Sequence, residues 1–307
     1  MLKTEQNSMT RLVSQPDHAA VSGYLAAHWG NKDFVKPGYY AAVPDPEVLR
    51  AEVVFGIAQH DNGWWEWEAT PELGSQDGLP LGLTQVVRNR QAGMDRWRHG
   101  IPRFQKNRPY ASLLVSLHAY WLYAPTPEDS VERAFRHPLF GADSTPDPDE
   151  AERQEAEQFL RELKVIQDTL MSRLQADPVM AGWVEPDLLQ PHARLVQLLD
   201  GMSLALCSAL IPAGAGETRG PGQNSFDLPD VPRRGWHDRI TIKVRPQGHR
   251  RLSCQPYPFD TDPLPVLVPA KFLPSDVVDE RFFPVRWNAA LPELVPYEFC
   301  SVSNDLV

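Results

Sequence analysis

Cysteine is scarce in this chain of 307 residues, which contains only three, at Cys207, Cys254 and Cys300. Because they are few and far apart, the sequence offers neither a disulfide framework nor a cysteine-based zinc site. Long apolar runs are missing as well, and the opening residues MLKTEQNSMTRL lack the apolar stretch of a signal peptide. We therefore expect a cytoplasmic protein that neither spans nor binds a membrane.

Positive charge is the second shortage. The chain has 30 Lys and Arg residues against 40 Asp and Glu residues, a formal net charge of −10. An acidic protein is poorly suited to bind nucleic acid or anionic lipid. The expected partner is a small-molecule substrate, and the oligomeric state is not predicted. Proline, by contrast, is abundant at 30 residues, about twice the average usage.

Most of the first 210 residues carry the periodicity of amphipathic helices. Helices are predicted over residues 16–29, 46–59, 110–123 and 149–175, around Val86, Val87, Met94 and Trp97, and from Pro191 onward. Residues 1–13 are predicted to be an extended lead-in, and the proline-rich residues 125–148 a long loop. Short alternating runs at 240–244, 266–268 and 297–299 indicate strands. We predict a mainly α fold, with a helical core over 1–210 and a proline- and glycine-rich connector and small β segment over 211–307.

Five polar side chains interrupt the apolar faces of these helices: His18, His60, Asp61, His118 and Asp200. Such groups are costly to bury without a partner. The adjacent pair His60-Asp61 ends the helix that Asp45 and Pro46 begin, and a metal ion is the simplest partner for both side chains. Histidine nitrogens and carboxylate oxygens suit one or two divalent ions of Fe, Mn, Co, Ni or Zn.

Two of the five have competing interpretations. A lone histidine in a buried helix, such as His118, is more often a core residue with satisfied hydrogen bonds than a ligand. A buried aspartate such as Asp200 can instead pair with an arginine, for which Arg194 is the nearest candidate.

The run HDNG at residues 60–63, with His18 before it and Asp200 after it, resembles the His-Asp-x-Gly signature of the HD superfamily of helical metal-dependent proteins. The resemblance implies an HD-domain-like core in which His18, His60, Asp61 and Asp200 bind metal. It also implies that Asp61 bridges the metal or orients a catalytic water, and that His118 serves a second ion. At the level of the whole chain, QPDHAAVSGYLAAHWG, HDNGWWEW, PYASLLVSLHA and QPYPFD are similar to a bacterial domain of unknown function, family 3891.

One position departs from the HD pattern. Many HD hydrolases carry a phosphate-binding lysine just after the glycine, where this chain has Trp64. Trp64 and Trp67 are either an aromatic wall for an apolar or planar substrate or core aromatics at helical spacing. Gln15, just before the helix of His18, and His28, on that helix, are the other candidates for substrate contact. His28 lies ~15 Å along that helix from His18, too far to share one ion.

Three functions remain open from the sequence. The first is an HD-type hydrolase that acts on a phosphoester or similar small molecule, with Asp61 as the catalytic residue. The alternatives are an HD-type di-iron oxygenase that acts on a small organic substrate, and a non-catalytic metal-binding regulatory module.

Overall fold

The computed structural model describes residues 1–6, 8–74, 78–83, 85, 89–125, 130–139, 149–211, 220–275 and 283–302. Its helices are α1 (Gln15–Ala27), α2 (Pro46–Ala58), α3 (Trp65–Ala69), α4 (Arg90–Gly100), α5 (Pro109–Tyr123), α6 (Glu150–Gln175), α7 (Pro186–Cys207) and α8 (Phe283–Ala289). Its strands are β1 (Leu2–Gln6), β2 (Met9–Val13), β3 (Phe226–Gly235), β4 (Asp238–Pro246), β5 (Arg251–Gln255), β6 (Leu264–Pro274) and β7 (Glu293–Ser301). Within the described ranges, no helix combines the length and the apolar character needed to cross a membrane.

Polar side chains set the starts of four helices. Ser14, Asp45, Asn89 and Asp149 each accept a hydrogen bond from the backbone N–H three residues later, which otherwise has no partner inside the helix. The predicted role of Asp45 is thereby confirmed. The prediction that α7 starts at Pro191 is wrong: the helix begins at Pro186, and Pro191 lies inside it. Val86 and Val87 lie outside the described residues.

The strands form one curled sheet, a half-barrel, in the order β1-β2-β6-β7-β5-β4-β3. Only β5 and β7 are parallel neighbours among the described pairs, and the others are antiparallel. Along β6, Leu264, Val266 and Val268 are buried while Leu267 is exposed. This alternation turns one face of the sheet toward the helices.

The prediction of a mainly α, HD-domain-like core with a small β segment is wrong. Helices make up 48% of the structure, but the seven-stranded sheet accounts for about 22%. Residues 1–13 are not a lead-in, because β1 and β2 extend the sheet through β6, with Met9 opposite Pro274. Pro229 and Pro232 made β3 hard to predict, because proline is rare inside strands. Both are tolerated because β3 is an edge strand with a shifted register. The division of the chain at residue 210 stays a prediction.

The helices pack so that their inner faces meet. α1 packs against α2 and α7, and α5 packs against α2, α6 and α7. At Gly23 a Cβ atom would come within 2.4 Å of the Cβ of Ala58, so a glycine is required for α1 and α2 to approach this closely. α7 also contacts β3, and α1 contacts β6, which places the sheet behind both helices.

Candidate metal centre

The structure brings the five predicted ligands together in the interior. α1 carries His18, the end of α2 leads into His60 and Asp61, α5 carries His118 and α7 carries Asp200. Their relative exposures are 1%, 1%, 6%, 1% and 4% in that order. Since buried charges and imidazoles need partners, this cluster must satisfy its own polar atoms or bind an ion.

His18 uses both of its ring nitrogens. Nε2 lies 2.8 Å from Oδ2 of Asp61, and Nδ1 lies 2.9 Å from Oγ of Ser203. The Ser203 hydroxyl donates to the backbone carbonyl of Asp200, so it accepts from Nδ1–H of His18. In the neutral ring this leaves a lone pair on Nε2 opposite a carboxylate oxygen. A cation between them, either a proton or a metal ion, is needed to satisfy both the lone pair of His18 and the carboxylate oxygen of Asp61.

His60 is oriented in the same way by the backbone. Its Nδ1 donates to the carbonyl of Ile57 at 2.7 Å, which turns Nε2 into the cluster. Nε2 lies 3.5 Å from Oδ1 of Asp200 and 3.9 Å from Oδ2 of Asp61, and it makes no hydrogen bond with the described residues. Burial lowers the pKa of His60, but the carboxylates of Asp61 and Asp200 outweigh it and raise the pKa to about 9.

Asp200 is the carboxylate around which the histidines gather. Its Oδ1 faces His60, and its Oδ2 lies 3.4 Å from Nε2 of His118 and 3.2 Å from Nε2 of His137. Burial alone would raise the pKa of Asp200, but the His137 and His60 rings hold it well below its ordinary value. The alternative pairing with Arg194 is not seen, because that guanidinium donates to the carbonyls of Arg136 and Pro229.

His118 is the least satisfied member. Neither ring nitrogen has a hydrogen-bond partner among the described residues, although the ring is 99% buried. Burial lowers the pKa of His118 to about 3, so the ring is neutral with a lone pair available. A core histidine held for structural reasons would have its nitrogens bonded. His118 therefore fits the ligand interpretation better than the structural one.

His137 completes the cluster and was not predicted. It lies in the proline-rich residues 125–148, where no hydrophobic periodicity predicts how the chain packs. A signal was present nonetheless, because Phe135 and Leu139 flank the histidine and both are buried. Two apolar residues around a histidine indicate that this part of the loop packs on the core.

The cluster fits a divalent metal ion. His18, His60 and Asp200 offer ligand atoms that all lie within 4.8 Å of one another, close to the ~3–4 Å expected between two atoms ~2.1 Å from a common ion. Asp200 presents its second oxygen to His118 and His137. The donor set is thus large enough for one ion or two.

The predicted substrate contacts are scattered. Gln15 is buried at the start of α1, and its Oε1 has no hydrogen-bond partner among the described residues. His28 lies apart from the cluster and contacts Oδ1 of Asp260 at 2.8 Å. Trp64 is buried edge-on against Trp97, as expected of a core aromatic, and Trp67 is 36% exposed. Substrate contact by these four residues stays a prediction.

A cleft of about 250 Å³ opens near the start of α1 and was not predicted. Ser14, Asp17, Trp65, Glu68 and Trp287 of α8 are among its lining residues. The aromatic residue of the HDNGWWEW run that lines this cleft is therefore Trp65, which no pattern in the sequence distinguishes from its neighbours.

Fold and site together define a protein in which helices, backed by a curled sheet, converge on a buried histidine–aspartate cluster suited to metal. The chain belongs to the family described as protein of unknown function (DUF3891), whose profile matches residues 1–275 and thus every residue of the cluster. The predicted resemblance to that family is confirmed, whereas membership of the HD superfamily finds no support in this match. No curated protein and no solved structure matches the chain.

Proposed function

We propose that the protein is a metal-dependent hydrolase that acts on a phosphoester or a similar small molecule. The observation that carries this proposal is Asp200, a buried carboxylate with ring nitrogens of four histidines within 3.8 Å of its oxygens and no arginine or lysine paired to it within the described residues. A closed structural network would leave no histidine nitrogen without a hydrogen bond, whereas here one ring nitrogen of His60 and both ring nitrogens of His118 lack one among the described residues.

Each residue has a role in this proposal. His18, His60, Asp61 and Asp200 would hold one ion, and His118 and His137 would hold a second ion together with Asp200. Bound there, a divalent ion supplies Lewis acidity and lowers the pKa of water to about 7. Asp61 would orient the attacking water. The hydrogen bonds of His18 to Ser203 and of His60 to Ile57 fix both rings and their tautomers.

One observation favours the oxidative alternative. The pair His118 and His137, together with one oxygen of Asp200, is a two-histidine, one-carboxylate set, the kind of donor set typical of non-haem iron. A di-iron oxygenase is therefore the second candidate, and a non-catalytic metal-binding module is the third.

Metal content and activity on one preparation separate the candidates. The full chain is loaded in turn with Mn, Fe, Co, Ni and Zn, analysed for bound metal, and assayed with p-nitrophenyl phosphate and bis(p-nitrophenyl) phosphate. The hydrolase proposal expects turnover that EDTA abolishes and that His60→Ala removes together with the metal. Two irons per chain with visible absorption and no hydrolysis would favour the oxygenase. Bound metal without either activity would favour the regulatory module, and no bound metal at all would refute the metal centre.

A further inference from the structure

Arg96 is a buried cation that the cluster does not use. It lies in α4 and is 6% exposed. Its guanidinium carbon is 5.9 Å from the ring centroid of Trp64 and 5.6 Å from that of Trp67, so two indole rings flank it. Nevertheless, its Nε and Nη1 atoms have no hydrogen-bond partner in the described part of the chain.

The helix that carries this guanidinium packs next to the candidate metal centre. The backbone of α4 packs on the segment just after Asp61, since a Cβ atom on Gly63 would come within 2.1 Å of the Arg96 carbonyl oxygen. The ring of the next residue, Trp97, is centred 5.6 Å from that of His118. Burial lowers the pKa of Arg96, and the negative charges of Glu68 and Glu72 oppose this effect most, with a smaller contribution from Asp61.

The two guanidinium nitrogens without a hydrogen-bond partner among the described residues are the unusual feature. A buried charge that lacks hydrogen bonds is strongly destabilising, and flanking aromatic rings compensate for only part of that cost. Arginine is also the side chain best suited to bind oxyanions, because its planar guanidinium forms parallel charge-assisted hydrogen bonds to phosphate oxygens. A phosphate group at Arg96 would satisfy both nitrogens.

We propose that Arg96 binds the phosphate group of the substrate whose reacting bond lies at the metal centre. The proposal rests on the hydrolase function proposed above and assigns its substrate class as a phosphate ester. It also gives Trp64 and Trp67 a role other than substrate contact: their rings hold the guanidinium in place.

Inorganic phosphate tests this assignment without any need for turnover. Phosphate is titrated into the full, metal-loaded chain, and binding is followed by tryptophan fluorescence and by calorimetry. Arg96→Gln should weaken phosphate binding by at least ~10-fold, as expected for loss of a charge-assisted hydrogen bond, with unchanged metal content. Arg96→Lys should recover part of the affinity. Arg98→Gln is the matched control. Arg98 lies two residues from Arg96 and carries the same charge, but its side chain is already paired with Glu162.

Several outcomes would overturn the assignment. These are no phosphate binding by the wild-type protein, equal affinity in wild type and Arg96→Gln, or an equal loss in Arg98→Gln, which would indicate a general effect of charge. If Arg96→Gln does not fold, as judged by thermal unfolding, Arg96→Lys decides, and undiminished affinity in that variant refutes the assignment. Phosphate binding that depends on Arg96 in a protein without hydrolytic activity would instead refute the hydrolase and leave the anion site in place.

Discussion

Asp200→Asn is the most direct test of the metal centre. Asp200 is 4% exposed, and its two oxygens face His60 on one side and His118 and His137 on the other. Asparagine keeps the volume and one oxygen acceptor but removes the negative charge. If the cluster is a metal centre, it loses an anionic ligand. If it is only a hydrogen-bonded network, the response to metal should not depend on this charge.

The expected effect follows from linkage. An ion that binds only the folded protein, at a concentration 100 times its Kd, stabilises it by about 2.7 kcal/mol. For a chain of 307 residues, an unfolding entropy of ~2.1 cal/mol/K per residue amounts to ~0.64 kcal/mol/K, so the wild-type Tm should rise by ~4 °C. Loss of a direct ligand should weaken binding at least ~100-fold, the upper range for loss of an outer partner. The same metal concentration then stabilises by only ~0.4 kcal/mol, a shift below ~1 °C.

Thermal unfolding followed by circular dichroism measures this shift. Each protein is stripped with EDTA, and the melts with and without added metal are compared at one concentration. Asp260→Asn is the control, because its carboxylate also contacts a histidine, His28, but lies outside the cluster. It should retain the full shift. A shift of ~4 °C in Asp200→Asn would refute the reasoning, because the ion would then bind the folded protein without Asp200.

The remaining predictions concern the edges of the site. His137→Ala should lower the metal content per chain in elemental analysis, whereas His28→Ala should leave it unchanged because His28 lies apart from the cluster; equal content in both would remove His137 from the centre. Gly63→Ala should reduce the free energy of unfolding by ~1–3 kcal/mol in urea, since the new Cβ would meet the carbonyl oxygen of Arg96 at 2.1 Å. Unchanged stability there would mean that α4 moves away without cost.

The elements that could be predicted are those whose signal is local. α2, α5 and α6 were predicted within one or two residues of their ends, because a cap or a proline marks each start and an apolar stripe runs along α2 and α6. The sheet could not be predicted in the same way. β1 and β2 are five residues each, and their partner β6 lies at the other end of the chain. Nothing in a window of ten residues reports such a pairing.

The residues of the candidate site divide in the same way, into those with a local sequence signal and those without one. Four of its members lie on or at the end of helices, where a polar residue on an apolar face must point inward, and the structure gathers them with Asp61. Whether they bind metal stays a prediction. His137 was missed because its loop is placed by packing of Phe135 and Leu139, and periodicity carries no information about loops. Arg96 was missed because an arginine on a polar helix usually lies in solvent.

The sheet supports the candidate site through α1 and α7, the helices that carry His18 and Asp200, which are the first and last residues of the site along the chain. β2 leads directly into α1, and Arg11 of β2 is buried with its Nη1 donating to the hydroxyl of Tyr297 in β7 at 2.9 Å. α7, which carries Asp200, packs against β3. Between the two helices, Ser22 bonds the hydroxyl of Ser203, which contacts His18. A metal site requires its ligands to be held in place before the ion arrives. The sheet supplies that rigidity from behind, and for this reason a strand pair at the start of the chain belongs to the architecture of a site built on helices.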